Sequence, residues 1–344
     1  MSPEGGSRVL VVTNMYPNAR DPAFGVFVEA QVQAIAAEGW DVEVEFIDGR
    51  SHRAAYLSGI GRVWRRARAG RFDVVHAHYG LTGFVAAFQP LPLVVTFHGD
   101  DLLGTPSATG GITFKSRIAR GMSRIAARRA AGLICVSEEL RRALARPHDR
   151  ARAHVIPGGI DTARFTPGDR TAARRRLGLP VDRKIVLFPS TPGERRKRRD
   201  LADAAIRDVN AGTAGVELLG VSGVPYAAMP DYYRAADCLL LTSDWEGSPT
   251  VVKEALCCDV PVVAVDAGDA WQWLRLAPGA QPVARDVAAI AAGLRAVFAG
   301  PGRVDGARVR TEVDWRRIAR AVIAVYRDVI TARRSAGTAL HTQA

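Results

Sequence analysis

Short apolar, β-branched runs alternate along the whole chain with stretches in which apolar residues recur every three or four positions. The runs predict buried strands and the stretches predict amphipathic helices. The predicted strands are 8–14, 42–47, 73–78, 93–98, 132–136, 154–156, 184–189, 216–220, 238–242, 261–265 and 281–283. The predicted helices are 26–38, 115–131, 138–145, 201–210, 229–236, 250–257, 287–298 and 314–333. This alternation is typical of α/β proteins with helices packed on parallel sheets.

The length of 344 residues suits two domains of about 150 residues each. Pro, Gly and Arg cluster between periodic segments from residue 161 to 180, which predicts a boundary there. We therefore expect one Rossmann-like domain over 1–165, a second over 166–313 and a flexible tail over 334–344. Ligands of open α/β sheets lie beyond the carboxyl ends of the strands, so the expected site is a cleft between the two domains.

The net charge of +12 and the pI of about 10.2 raise the question of an anionic partner. Basic residues cluster at 62–71, 115–129, 174–176 and 195–199, mostly without the interleaved aromatic residues of a single-strand nucleic-acid groove. The phosphates of a small-molecule substrate, an anionic membrane surface or no specific partner remain open, and nucleic acid is not expected. The segment 60–71 (IGRVWRRARAGR) is interpreted either as a peripheral membrane contact or as a solvated helix face.

No apolar run approaches the roughly 18 to 20 residues that span a bilayer, and the start MSPEGGSRVLVV lacks the pattern of a signal peptide. The expected location is the cytoplasm, and attachment to the inner face of the membrane is a further hypothesis. The arginine-rich composition suits a high-GC bacterium. Four cysteines fit no metal-ligand spacing and are interpreted as small buried apolar residues: Cys135, Cys238, Cys257 and Cys258.

The segment SDWEGSPTVVKEAL holds Glu246 and Glu254 with seven residues between them. Glu246 follows a predicted strand, Gly247, Ser248 and Pro249 form a turn, and Thr250 and Val251 begin the next helix. The free N–H groups of that helix start attract an anion such as a diphosphate. The alternative is that both carboxylates are solvated surface groups.

Three histidines and a glycine in the first half are further candidates. His98 ends the strand VVTFHGDD, where side chains reach the functional edge of a sheet. His76 and His78 have the spacing of two metal ligands on one strand face, but no further cluster supports a metal, so they are interpreted as residues near a strand end. Gly25 lies in the long loop after the first strand and permits close backbone approach to a ligand.

In order along the chain, FGVFVEAQV, HAHYG, TFHGDD, ICVSEEL, VIPGGIDTARF, GERRKRRD, EGSPTVVKEAL and VPVVAVDAGD resemble the retaining glycosyltransferases of the GT-B fold, in particular family 4. The resemblance covers nearly the whole chain. It implies two Rossmann-like domains facing across a cleft, with the C-terminal helix 314–333 returning to the first domain. The chain departs from the family at 270–274 (AWQWL), where relatives often have an acidic residue.

The resemblance also implies roles for single residues. Glu246 and His98 would contact the transferred sugar, and Glu254 would bind the ribose hydroxyls of the nucleotide. Lys197 would bind the diphosphate together with an arginine, for which Arg195 is preferred and Arg196 is the next choice. Val224 matches the backbone contact to the base, and His78 would border the acceptor pocket.

The predicted function is therefore transfer of a sugar from a nucleotide-sugar, most simply a UDP-sugar, to an acceptor hydroxyl with retention. The acceptor is a polysaccharide, a lipid-linked intermediate or a natural-product aglycone. No cofactor or metal is expected, because the sequence has no Asp-x-Asp motif to bridge a metal to the diphosphate. The alternatives are a nucleotide-sugar epimerase of the same fold and a basic nucleic-acid binder, whereas the missing GxGxxG motif disfavours a dehydrogenase.

Overall fold

The structure, a computed structural model, describes residues 7–18, 21, 24–105, 111–212 and 215–342, with side chains as far as residue 336. The strands are β1 Arg8–Thr13, β2 Asp41–Phe46, β3 Val74–His78, β4 Leu93–Phe97, β5 Gly132–Cys135, β6 Ala153–Val155, β7 Lys184–Pro189, β8 Val216–Val221, β9 Cys238–Leu241, β10 Val262–Ala264 and β11 Gln281–Pro282. The helices are α1 Val26–Ala37, α2 Ala54–Arg68, α3 Gly80–Ala86, α4 Asp100–Leu103, α5 Phe114–Arg129, α6 Glu138–Ala143, α7 Pro147–Arg152, α8 Arg170–Leu177, α9 Arg199–Gly212, α10 Met229–Ala235, α11 Thr250–Cys257, α12 Ala270–Leu274, α13 Val287–Ala299, α14 Ala307–Val313 and α15 Trp315–Thr342.

The chain divides into two compact units, of which unit 1 comprises 1–159 and 315–344 and unit 2 comprises 160–314. Unit 1 has a parallel sheet in the order β2-β1-β3-β4-β5-β6. Successive side chains of β1 enter different cores, Leu10 on one face and Val11 on the other, because side chains alternate along a strand. Both faces of this sheet are thus covered by helices.

Unit 2 has a parallel sheet in the order β11-β10-β9-β7-β8. β9 lies at its centre, and all four of its residues are buried. The carboxyl ends of the parallel strands β7, β8 and β9 therefore lie at the same edge of the sheet, and the segments that follow these strands carry the candidate residues of this unit.

The division between the units falls at residues 159 and 160 rather than after residue 165. The backbone N–H of Ile160 donates to the carbonyl of Val313 at 2.8 Å, and Phe165 is fully buried against Tyr226 and Tyr233. The expected linker also contains α8. In the sequence, the arginine run of α8 indicates a solvated loop. In the structure, Arg174 is buried and forms an ion pair with Asp237.

The C-terminal helix packs in unit 1, as the family resemblance implied. Tyr326 of α15 is fully buried, and its hydroxyl lies 2.6 Å from Nδ1 of His76 in β3. The described backbone continues this helix to Thr342, past residue 333, where a flexible tail was expected. Residues 343 and 344 of that expected tail, and residues 1–6 of the N-terminal segment, lie outside the described residues.

Two other sequence interpretations can be compared with the structure. The four cysteines are free and buried, as predicted. The helix α3 was not predicted, because its segment GLTGFVA has no polar face and therefore no helical periodicity to detect. Within the described segments, no helix is both long and apolar enough to cross a membrane.

Candidate functional site

A basic turn follows β7 in unit 2. Arg195–Lys197 form a single turn of 3₁₀ helix, directly beside the segment that leaves β9. The backbone N–H of Asp244 donates to the carbonyl of Arg196 at 2.9 Å, and the hydroxyl of Thr242 donates to the carbonyl of Lys197 at 2.7 Å. These hydrogen bonds fix the basic turn against the backbone that carries Glu246.

Glu246 is only 9% exposed and lies at the centre of this cluster. Lys197 Nζ lies 2.7 Å from its Oε1, and the hydroxyl of Ser243 donates to the same oxygen at 2.7 Å. Arg196 Nη1 lies 2.6 Å from Oε2. Burial alone would raise the pKa of Glu246, but the charges of Lys197 and Arg196 outweigh it and hold that pKa below its usual range. Glu246 is therefore a carboxylate with both oxygens in ion pairs.

The arginine beside Lys197 is Arg196, the second choice of the sequence analysis. Arg195 is exposed, whereas Arg196 is half-buried, contacts Glu194 at 2.5 Å and has its guanidinium 5.9 Å from the centre of the Trp245 ring. Successive side chains of a 3₁₀ turn point about 120° apart, so three consecutive cations cannot face the same carboxylate. The turn geometry that decides between the two arginines is not visible in the sequence.

Glu254 of α11 is 3% exposed and has a different environment. The Tyr226 hydroxyl donates to its Oε1 at 2.9 Å, and the Tyr233 hydroxyl donates to its Oε2 at 2.6 Å. Burial raises the pKa of Glu254, and the two tyrosine hydrogen bonds oppose that rise. Tyr226 belongs to the segment after β8 that also carries Val224, so this segment and Glu254 are joined. Neither tyrosine was predicted from the sequence.

The turn before α11 is held from inside the protein. The Ser248 hydroxyl donates to Asp269 Oδ2 at 2.8 Å and accepts from Lys253 Nζ at 2.9 Å. The Ser248 side chain is thus engaged in an internal hydrogen-bond relay. Pro249 occupies the N-cap position, and Thr250 and Val251 begin the helix as predicted.

Lys253 and Asp269 are the two ends of this Lys253–Ser248–Asp269 relay. Lys253 is fully buried and Asp269 is 3% exposed. Burial lowers the pKa of Lys253 and raises that of Asp269, and each charge partly offsets the shift of the other. Asp269 directly precedes α12 (AWQWL), the segment in which the sequence departs from the family pattern. Gly268, the residue before Asp269, has a left-handed backbone conformation and packs closely on the turn before α11. A Cβ at this position would lie 2.9 Å from the carbonyl oxygen of Gly247, so glycine permits this close packing.

In unit 1 three histidines lie together toward the carboxyl ends of β3 and β4, where His76 and His78 are buried and His98 is partly buried. Both ring nitrogens of His76 are engaged, Nδ1 with the Tyr326 hydroxyl and Nε2 with the Thr96 hydroxyl at 2.7 Å. His78 is fully buried, and its Nδ1 lies 3.1 Å from Nε2 of His98. Burial lowers the pKa of His76 and of His98 to about 3. His76 and His78 are thus bonded to different neighbours, an arrangement unlike that of two ligands sharing one metal.

Asp101 fixes the turn that carries His98. Its buried carboxylate accepts the backbone N–H groups of Gly80, His98 and Gly99, and burial raises its pKa to about 6. At Gly25 the left-handed backbone is also closely packed, since a Cβ would lie 2.3 Å from the backbone of Met15. The close backbone approach expected at Gly25 therefore involves the backbone of Met15 in the same chain.

Comparison with known proteins adds the family. The family described as Glycosyltransferase Family 4 matches residues 3–164, and that described as Glycosyl transferases group 1 matches residues 190–300. The D-inositol 3-phosphate glycosyltransferase of Geodermatophilus obscurus is 31% identical over 79% of this chain and 70% of its own length. The putative teichuronic acid biosynthesis glycosyltransferase TuaC of Bacillus subtilis is 28% identical over 76% of this chain and 81% of its own length.

Solved structures agree on the fold. Sucrose-phosphate synthase from Thermosynechococcus elongatus superposes with a TM-score of 0.75 at 18% identity, covering 95% of this chain and all of that one (100%). HepE from Anabaena, in complex with UDP, superposes with a TM-score of 0.66 at 18% identity, over 94% of this chain and 100% of its own. The chain belongs to the family 4, group 1 glycosyltransferases and has the GT-B fold of two Rossmann-like domains.

Proposed function

We propose that the protein transfers a sugar from a UDP-sugar to an acceptor hydroxyl with retention at the anomeric carbon. The observation that carries this proposal is the convergence of Lys197 and Arg196 on Glu246, at the carboxyl edge of the unit 2 sheet. UDP is the first choice of nucleotide because HepE, which has the same fold, was crystallised with UDP and with UDP-glucose.

In this scheme unit 2 binds the donor without a metal. Lys197 and an arginine, Arg196 rather than Arg195, bind the diphosphate, because cations stabilise the charge that grows on a departing nucleotide diphosphate. The backbone N–H groups of Gly247, Thr250 and Val251 support the same anion. Glu254 accepts hydrogen bonds from the ribose hydroxyls, and the backbone of Val224 contacts the base.

The chemical step forms a bond between the acceptor oxygen and the anomeric carbon while the bond to the diphosphate breaks on the same face. Glu246 is a poor nucleophile, because its oxygens already contact Lys197, Ser243 and Arg196. This pairing supports an oxocarbenium-like transition state rather than a covalent glycosyl-enzyme. Glu246 and His98 orient the sugar, and the leaving diphosphate takes the proton of the acceptor hydroxyl.

The acceptor belongs to cell-surface polysaccharide, glycolipid or natural-product biosynthesis. The relatives support this range, since their names refer to teichuronic acid and to D-inositol 3-phosphate. In unit 1, His78 and the loop around Gly25 are assigned to the acceptor side and the donor phosphate respectively. Because His78 is fully buried, we assign it an indirect role through His98.

The test is calorimetric titration of the full chain with UDP-, GDP-, ADP- and dTDP-sugars in the presence of EDTA, followed by NMR analysis of the product anomer. Tight binding of one UDP-sugar and an unchanged anomeric configuration would support the proposal. Inversion of the anomeric carbon, or a strict need for a divalent ion, would contradict it. Incubation with UDP-GlcNAc alone distinguishes an epimerase, which would form an epimer without any acceptor.

A further inference from the structure

Helix α5 of unit 1 has an exposed apolar ridge. Phe114 is 75% exposed, Ile118 is 48% exposed and Ile125 is 39% exposed. Spacings of four and seven residues place the three side chains on the same side of the helix. The opposite side consists of small residues, including Ser123 and Ala126, that pack on the domain. Large apolar side chains aligned in this way on a surface mark an interaction site rather than scattered exposure.

The same helix is strongly basic. Its sequence, FKSRIARGMSRIAARR, contains no acidic residue and six basic ones, namely Lys115, Arg117, Arg120, Arg124, Arg128 and Arg129. Arg120, Arg124 and Arg128 are each about one helical turn apart and line a small hollow, to which Arg146 also contributes. Within the described part of the chain, none of these cations forms an ion pair. The two carboxylates in the hollow, Asp101 and Asp149, are held by backbone N–H groups and by Arg152.

Helix α2 is different; it contains most of the segment 60–71, which the sequence analysis interpreted either as a membrane contact or as a solvated helix face. Its Arg62 and Arg66 are paired with Glu45, and Arg66 also contacts Glu43. The guanidinium of Arg68 covers the ring of Trp64 at 4.9 Å from its centre. Much of the basic charge of α2 is therefore neutralised within the domain, whereas that of α5 is available to a partner.

We propose that the exposed face of α5 binds the surface of an anionic phospholipid membrane. Phosphate headgroups would contact the arginine row, since guanidinium groups bind phosphate oxygens in a bidentate manner. Phe114 and Ile118 would enter the boundary between headgroups and acyl chains, as the apolar face of an interfacial helix does. The apolar ridge favours a lipid surface over nucleic acid, whose backbone offers phosphates but no apolar layer to receive it. This inference does not depend on the proposed reaction.

The test is flotation of the full chain with two kinds of vesicle. One contains phosphatidylcholine alone, and the other contains phosphatidylcholine with about 30% phosphatidylglycerol as the anionic lipid. We expect binding only to the anionic vesicles, with a loss of binding as salt rises. The variant R124Q/R128Q should bind about 30-fold more weakly, because each cation near a charged leaflet contributes about a factor of five. F114S/I118S should also weaken binding while leaving the salt dependence in place.

Two control variants remove the same charge elsewhere. R175Q/R207Q alters exposed arginines of unit 2 and should bind like the parent, and so should R65Q/R68Q on α2. A loss confined to R65Q/R68Q would overturn the assignment to α5. Equal affinity for both vesicle types would show that α5 has no site for anionic lipid. Displacement from the vesicles by millimolar inorganic phosphate would indicate a small-anion site instead, and displacement by duplex DNA would indicate a nucleic-acid site. Circular dichroism verifies that each variant is folded.

Discussion

Lys197 Nζ lies 2.7 Å from Oε1 of Glu246, although 49 positions separate the two residues in the chain. The pair joins the turn after β7 to the turn after β9, two neighbouring strands of the unit 2 sheet. Because burial disfavours an isolated charge, the nearby cation of Lys197 favours the ionised form of Glu246. A bound diphosphate would compete for Lys197 and release Glu246 toward the sugar.

Replacement of Glu246 by Gln tests this relationship. The variant keeps the shape of the side chain but removes the charge that holds Lys197 and Arg196. We expect kcat for sugar transfer to fall by about 10² to 10³, as for loss of one preorganised group in an active site, with nucleotide affinity within a few-fold of the parent. Steady-state kinetics with the preferred UDP-sugar and calorimetry with UDP provide the two values.

Asp244→Asn is the matched control, because Asp244 is close in sequence and pairs with Arg198 at 3.2 Å, outside the Glu246 cluster. Its kcat should stay near that of the parent. Comparable losses in both variants would indicate a general effect of charge in this turn and would remove the special role assigned to Glu246.

The Lys253–Ser248–Asp269 relay should be strongly coupled. Lys253→Met leaves the carboxylate of Asp269 buried without its counter-charge, which we expect to lower the free energy of unfolding by about 3–5 kcal/mol. The double variant K253M/D269N should lose less than the sum of the single variants, since the second change removes the uncompensated charge. Urea unfolding of all three variants measures the coupling, and strict additivity would show that the relay does not act as a unit.

The two tyrosines on Glu254 should control its protonation. Tyr233→Phe removes a hydrogen bond that favours the charged carboxylate, so the pKa of Glu254 should rise further. If Glu254 binds the ribose as an anion, UDP affinity of this variant should fall more steeply than that of the parent as pH is lowered from 8 to 5.5. Calorimetry at the two pH values decides, and parallel pH dependences would argue against ribose binding by the ionised form.

The tautomer of His98 follows from its neighbour. Nε2 of His78 is buried without a hydrogen-bond partner among the described residues. A buried N–H group without an acceptor is rarer in proteins than an unused acceptor, so the proton of His78 should be on Nδ1 and be donated to Nε2 of His98. His98 then carries its own proton on Nδ1, and under the proposed function this N–H group would donate to the sugar. The ¹⁵N chemical shifts of the histidine rings report the tautomers, and a protonated Nε2 on His98 would refute this assignment.

Buried His76 should make the protein sensitive to acid. Its pKa is about 3 when folded, against 6.5 for an exposed histidine. Its stabilising contribution is complete above about pH 6.5 and is lost as pH falls toward 3, because only the unfolded chain takes up the proton; at pH 5 the loss is about 2 kcal/mol. His76→Gln should therefore lose less stability than the parent between pH 7.5 and 5 in urea unfolding. Exposed His148→Gln should behave like the parent.

Much of the fold could be predicted from local patterns. All of the predicted strands form, because short β-branched runs bounded by turn residues fit the buried strands of a parallel sheet. Helices without a polar face, such as α3, could not be predicted, since helical periodicity requires one side exposed to water. The boundary between units was misplaced because arginine usually indicates solvent, whereas Arg174 is buried beside Asp237.

The sequence by itself determined the family pattern, the positions of Glu246, Glu254 and Lys197, and the strand ends at which they lie, because each of these depends on residue types at short spacing. Only the tertiary structure decided that Arg196 rather than Arg195 contacts Glu246, that Tyr226 and Tyr233 hold Glu254, and that a buried lysine and Asp269 brace Ser248. Those partners come from segments far apart in the chain. Their meeting depends on sheet order and on the direction of each side chain, and local sequence specifies neither.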